Sequence, residues 1–303
     1  MATVHRLSCA DEMTLGRAID AYLATLRGAE QANTCRAYGQ VLRRLAAEFG
    51  RETAPDFIAA ERFAAWFGQQ WGERAPSTWN VSLDAVRSAA AYWIRSGWLA
   101  ADPSRMLVRR KPRPDRSRAL SHAEVEQLLT REDIGLRERV LWRMLYETAA
   151  RSAEVLALNV EDLDLPNRRA KVRRKGGAID VIVWQTGTAR ILPRLLKGRK
   201  SGPLFVTERK ARVQLPAADL DEHGHARLSY QQAAALFSQA SGGATLHQLR
   251  HSALTHDAED GTGTPMLMAR SGHTSVRSLA KYARVSAEAL ARHQAERDPT
   301  RRR

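Results

Sequence analysis

Ala170-Lys171-Val172-Arg173-Arg174, then Lys175-Gly176-Gly177, then Ala178-Ile179-Asp180-Val181-Ile182-Val183: within this run the chain changes character. Two short extended segments around a Gly-Gly pair predict a β-hairpin, because glycine tolerates the positive φ that a tight turn needs. Lys175 would sit at the lip of that turn. Most of the remaining sequence reads as helix. The run therefore sets the fold class as mainly α with a small β-sheet.

Toward the N-terminus from the hairpin, Ser121-x-x-Glu124 is a capping-box signature ahead of Val125, Leu128 and Leu129. A longer helix follows, with Val140, Leu141, Met144 and Leu145 on one face. Arg151 lies just beyond its end, in Ala149-Ala150-Arg151-Ser152-Ala153-Glu154-Val155, and a short helix carries Glu154, Val155 and Leu158. Before this region stands Arg109-Arg110-Lys111-Pro112-Arg113-Pro114-Asp115-Arg116. Prolines remove backbone donors and disfavour helix before them. Residues 109–119 are read as a basic interdomain linker, either a solvated hinge or a strap along a DNA backbone, with Arg109, Arg110, Lys111 and Arg113 as its candidate phosphate contacts. Residues 1–108 form a separate helical domain with four helices between Met13 and Met106. Its helices end near Gly28, Gly50, Gly72 and Gly97, and most of its tryptophans are expected in the core.

Toward the C-terminus, about Glu208 to Arg227 is polar and reads as a loop. Helices resume at Ser229 and run with interruptions to about Glu296. His223-Gly224-His225 beside Asp219 and Asp221 is read as a polar turn rather than a metal site. The second domain is thus 120–303, with a last short helix over Ser286–Glu296. That helix would pack either on its own domain or on a neighbouring subunit.

Formal net charge is +15 over 303 residues, with the excess spread along the whole chain. A wide basic surface suits a long polyanion, since phosphate neutralisation gives affinity independent of sequence. Arg173 and Arg174 beside the hairpin turn are further candidate DNA contacts. Two cysteines, Cys9 and Cys35, form no metal-binding pattern, and a reduced cytoplasmic setting fits them. No apolar run has the length of a membrane span.

The chemistry gathers in the C-terminal third. His247 and Arg250 are three apart in a predicted helix behind Thr245-x-x-Gln248, so both side chains share one face. Arginine presents a planar fork to two phosphate oxygens, and histidine moves protons near neutral pH. His273 follows Ser271-Gly272, a helix-ending step, and Tyr282 falls about two turns into the next predicted helix. A tyrosine attacks only when its developing charge is stabilised, which two arginines can do. Singly, each of these residues has an ordinary structural explanation.

Arg151, Lys175, His247, Arg250, His273 and Tyr282, in this order and at these separations, resemble the tyrosine recombinase (phage integrase) family. Residues 120–285 resemble its catalytic domain, and residues 13–106, more loosely, its helical SAM-like core-binding domain. The resemblance implies roles. Arg151 and Arg250 would clamp the scissile phosphate. His247 would serve acid–base steps, and His273 would hydrogen-bond the phosphate. Lys175 would protonate the leaving 5′ oxygen, and Tyr282 would form a 3′-phosphotyrosine. Glu154 would orient the site from behind. Neither cofactor nor metal is expected, because the arginines supply the charge. Also implied are double-stranded DNA as partner, a C-shaped clamp, a homotetramer at two paired sites and a nucleoid-associated cytoplasmic location. Departures from the usual pattern are Ala149-Ala150 before Arg151, Ala269-Arg270-Ser271-Gly272 before His273, and Lys281 before Tyr282. A type IB topoisomerase or a DNA binder without activity are the alternatives. The chain leaves no room for an additional arm-binding domain, which favours a simple recombinase at short inverted repeats.

Overall fold

The computed structural model describes residues 13–28, 31–111, 119–174, 177–279, 290–291 and 294–295. The chain divides into two units, residues 1–114 and 115–303.

In the first unit four helices pack together: α1 (Leu15–Thr25), α2 (Ala32–Phe49), α3 (Ala60–Trp71) and α4 (Pro76–Arg95). Thr14 caps α1 by accepting from the Arg17 amide. α1 ends at Thr25, three residues short of Gly28, whereas Gly50 terminates α2 with a φ of 90° that suits glycine. Phe57 falls in a 3-10 turn ahead of α3, and Ala59, with extended ψ, starts α3 afresh. The core is aromatic: Phe63, Trp66, Phe67, Trp71, Trp79 and Trp93 are all buried. Phe67 meets Trp79 edge-on with ring centroids 4.8 Å apart, a geometry favoured by the ring quadrupoles. Trp93 donates its indole N–H to the Ala18 carbonyl at 2.8 Å, so its one polar atom is satisfied inside the core.

The first residues of the basic stretch are strapped to α4. Trp79 donates to the Val108 carbonyl at 3.0 Å, and Arg87 donates to that of Leu107 at 2.6 Å. The side chain of buried Asn80 pairs with both the N–H and C=O of Arg110, each at 2.8 Å. Residues 109–111 are thus held by side chains of α4 and belong to the helical unit.

The second unit is built around α6 (Leu136–Thr148), whose Val140, Leu141, Trp142, Met144 and Leu145 are almost fully buried. α5 (His122–Thr130) precedes it, with the Ser121/Glu124 capping box formed. α7 (Ser152–Leu156) follows it after a tight turn. Then comes an antiparallel three-stranded sheet, β1 (Leu163–Asp164), β2 (Arg169–Arg173) and β3 (Ile179–Val183), in the order β1-β2-β3. β2 and β3 pair from Arg169 opposite Val183 to Arg173 opposite Ile179, which forms the hairpin. Ala170, Val172 and Ile182 face the core, as period-two alternation requires.

α8 (Thr186–Leu196) returns over α6, its first turn held by the Glu147 carboxylate, which accepts from the Gln185 and Thr188 amides. The region predicted as a loop contains a second small sheet, β4 (Val206–Lys210) antiparallel to β5 (His225–Arg227). Its register is irregular and its residues are polar, so it lacks the alternation that marks a strand in sequence. α9 (Tyr230–Ala240), α10 (Leu246–Glu259), α11 (Thr264–Ser271) and α12 (Val276–Leu279) follow. Among the described residues no helix is long and apolar enough to cross a membrane.

Candidate active site

Three segments bring the described predicted residues together. Arg151 starts α7, at the exit of the turn that ends α6. That turn is made by Ala149, fully buried and left-handed at φ 50°. A Cβ-bearing residue is strained there by roughly 1–2 kcal/mol. The strained turn aims the Ala149 carbonyl at α10, where the Arg250 Nη1 donates to it. Arg250 Nη2 donates to the Ser271 carbonyl at 2.8 Å, at the end of α11. Arg250 is only 3% exposed, and these two backbone carbonyls help to hold its charge in a fixed position.

α10 itself is set by Thr245, whose hydroxyl accepts from the Gln248 amide while the Gln248 side chain accepts from the Thr245 amide. This capping box fixes the first turn, from which His247 projects as an exposed side chain one turn before Arg250. α11 ends on Gly272 at φ 61°, a left-handed cap, and His273 follows. The His273 Nδ1 lies 2.7 Å from the Ser271 Oγ, which orients the ring.

The result is a cleft of about 400 Å³ lined by Arg151, Ser152, Ala153, Tyr230, His247, Arg250 and His273. All four described members of the predicted phosphate-handling set line it. Arg151 is partly open to the cleft, its side chain 39% exposed, and its Nη1 donates to Glu154 Oε1 at 2.8 Å. The other oxygen of Glu154 accepts from the Arg151 amide at 3.0 Å. Glu154 is buried and supports Arg151 from the side away from the cleft. Sequence reasoning missed Tyr230 and Ser271. The first is the opening residue of α9 and carries no motif; the second could have been found from its place in Ser271-Gly272-His273.

Lys175 and Tyr282 lie outside the described residues, as do Arg113 and most of the helix predicted over Ser286–Glu296. Positions 290–291 and 294–295 of that last segment are helical.

The candidate DNA contacts separate into kinds. Arg173 on β2 and Lys111 are exposed. Arg109 is exposed and pairs with Asp84. Arg110 lays its guanidinium on the Trp79 ring, 3.7 Å from the centroid, and donates to the Gly72 carbonyl at 2.7 Å, so its side chain is committed to the helical unit. Arg174 departs from the expected surface role. It is 8% exposed and its guanidinium points inward, with Nε to Asp180 at 2.9 Å and Nη1 to Glu154 at 3.0 Å. The alternation of β2 puts Arg173 outside and carries the next residue in.

Among the described residues no group of three or more His, Cys, Asp or Glu is placed to hold a metal ion. In the His223-Gly224-His225 turn, Asp221 accepts from the two histidine amides, at 3.0 and 2.8 Å, and so builds the turn.

Behind the cleft, α10 carries a second histidine cluster. His256 is buried, stacks on His122 at 3.7 Å between centroids, and its Nδ1 lies 2.7 Å from the Tyr146 hydroxyl. Burial holds the His256 imidazole below its ordinary value, and nearby His122 acts in the same direction. Burial likewise pushes the Tyr146 phenol up to about 12.

A basic two-unit chain with this cleft has the architecture of a DNA strand-transfer enzyme. Residues 118–289 match the phage integrase family, and the chain belongs to that family. It is 27% identical over 295 residues to the tyrosine recombinase XerC of Pelobacter propionicus, covering 90% of this chain and 91% of that one. It is 28% identical to XerC of Mycobacterium tuberculosis (strain H37Ra), covering 89% and 94%. In fold it is similar to the Tn1549 transposon integrase in complex with circular intermediate DNA, with TM-score 0.64, 19% identity and coverage of 94% and 100%. It is also similar to a λ integrase dimer bound to a core site, with TM-score 0.70, 16% identity and coverage of 91% and 97%. Tyrosine recombinases cleave and rejoin DNA, and the activity of this chain is of that class: site-specific recombination.

Proposed function

We propose that the cleft binds the scissile phosphate of double-stranded DNA and that Tyr282 attacks it. The observation that carries this reading is the convergence of Arg151, His247, Arg250 and His273 on one cleft from three separate segments. Two guanidiniums supply fixed donors for the non-bridging oxygens, and preorganised donors of this kind stabilise the charge that develops on a pentacovalent phosphorus. The Tyr282 oxygen bonds to phosphorus as the bond to the 5′ oxygen breaks. His247 takes the phenolic proton, and Lys175 supplies one to the leaving 5′ hydroxyl. The phosphodiester becomes a 3′-phosphotyrosine of similar energy, so an incoming 5′ hydroxyl reverses the step without a nucleotide cofactor. Glu154 holds Arg151 in line.

The DNA is contacted by the exposed cations Arg173, Lys111 and Arg109, with Arg113 in the same basic stretch. Four copies act at two paired sites, with the segment over Ser286–Glu296 exchanged between copies. The protein is DNA-associated, at the nucleoid.

A plasmid carrying two copies of the target site tests the reaction class. Recombination predicts two smaller circles, or an inverted segment, according to site orientation. A ladder of relaxed topoisomers with no exchange would mean a topoisomerase instead.

A further inference from the structure

Arg174 is buried, charged and left unused by the chemistry above, and it contacts residues that support the cleft. Its Nη1 donates to Glu154 Oε2 at 3.0 Å and to the Ser271 carbonyl at 3.3 Å, and its Nε donates to Asp180 at 2.9 Å. Glu154 is the carboxylate that holds Arg151. The Ser271 carbonyl is also the acceptor of Arg250. The Ser271 hydroxyl meets His273. One guanidinium thus lies one link from each of three cleft residues.

The fit around it is close. A Cβ built on Gly272 would stand 2.4 Å from the Arg174 Cζ, so the chain passes there only as glycine. Asp180 sits opposite on β3, fixing the guanidinium from the hairpin side. Burying a guanidinium costs free energy unless its donors are met; two carboxylates and a carbonyl meet those of Nε and Nη1, while Nη2 is buried with no hydrogen-bond partner among the described residues. An arginine fork can serve several acceptors at fixed angles where a lysine ammonium cannot.

We infer that Arg174 is a positioning residue for strand cleavage. It locks Glu154 and the Ser271–His273 turn, so that Arg151, Arg250 and His273 hold the phosphate as one unit, registered to the β2–β3 hairpin whose next residue is Lys175. This rests on the phosphate-cleft reading above.

The test is single-turnover cleavage of a nicked suicide duplex by wild type, Arg174→Met and Arg174→Lys, each checked for folding by circular dichroism. Loss of a supporting residue of this kind costs roughly 10–100-fold in rate. Both variants are expected to lose that much while duplex affinity stays within about threefold. The second readout is a substrate with a methylphosphonate at the scissile position, which lacks the charge the arginines neutralise. If Arg174 acts through them, the deficit shrinks there by about tenfold, because a loosened clamp matters less to a neutral phosphorus. Should Arg174→Met fail to fold, Arg174→Lys carries the same comparison. Wild-type rates in the variants, or an equal deficit on both substrates, would overturn the inference. No adduct with wild type would instead overturn the phosphate-cleft reading, and the inference with it.

Discussion

Arg250 is a single side chain on which both the fold and the proposed chemistry rest. Its guanidinium is held by the carbonyls of Ala149 and Ser271, one from each side of the cleft. Arg250→Ala is expected to deprive the Ala149 carbonyl of this donor and leave the Ser271 carbonyl with Arg174, at about 1–3 kcal/mol in all, and to reduce cleavage by at least about a hundredfold. Urea unfolding and single-turnover cleavage read the two effects separately, and a stable variant with near-normal cleavage would remove Arg250 from the clamp. His256 supplies a pH signature. Its folded value lies below the ordinary histidine value, so the unfolded chain takes up the proton first. Stability is therefore lost as pH falls from about 6.5 toward the lower folded value, with a slope of at most ~1.4 kcal/mol per pH unit. The Tyr146 hydroxyl and stacked His122 face this ring, while Glu259 and Asp260 partly oppose the shift. His256→Gln should flatten the fall in Tm between pH 7 and 5; an unchanged slope would assign it to other groups. At this scale, Arg151, His247, Arg250 and His273 stand out in the sequence because each residue type suits a phosphate, and the structure places them around one cleft. Arg174, a candidate DNA contact from the sequence, is buried. Charge is visible in a sequence, but which face of a strand it takes depends on register, and a one-residue shift reverses it.

At the scale of elements, the signals with local physics were the readable ones. The capping boxes at Ser121/Glu124 and Thr245/Gln248 both form, since they need only a turn of helix. The β2–β3 hairpin forms where a Gly-Gly pair divides two extended runs. The β4–β5 pair was hidden, because its short polar strands are held by partners across a long excursion and have no pattern of their own. The turn at Ala149 was hidden too: the sequence shows only that alanine stands before Arg151, not that it takes a left-handed conformation. The N-cap of α10 gives a prediction here. Thr245→Ala should cost about 1 kcal/mol and fray the turn that presents His247. Cleavage should then fall more than DNA affinity does, while Thr245→Ser should behave as wild type. Equal stability of Thr245→Ala and wild type would show that tertiary contacts, not the cap, set the first turn.

At the scale of the molecule, the chain is two units with a net charge of +15, divided after Pro114 inside the Pro-rich basic stretch. That stretch was legible from composition, but the attachment of residues 109–111 to α4 was not, because it rests on Asn80 and Trp79 reaching backbone groups some 30 residues away. Such a charge makes DNA affinity steeply salt-dependent. If about 6–10 phosphates are neutralised, affinity should drop by about 10³–10⁵ between 50 and 200 mM salt, measured by fluorescence anisotropy on a labelled duplex. A shallow slope would mean that few of these cations meet DNA. The claim on which everything else turns is covalent cleavage by Tyr282. The most direct measurement is a suicide-substrate assay on nicked duplexes drawn from DNA flanking the gene, comparing wild type with Tyr282→Phe on a denaturing gel. A covalent protein–DNA adduct with wild type, and none with Tyr282→Phe at equal DNA binding, is the predicted result. An adduct that persists in Tyr282→Phe, or tight binding by wild type with no adduct on any duplex, would contradict it.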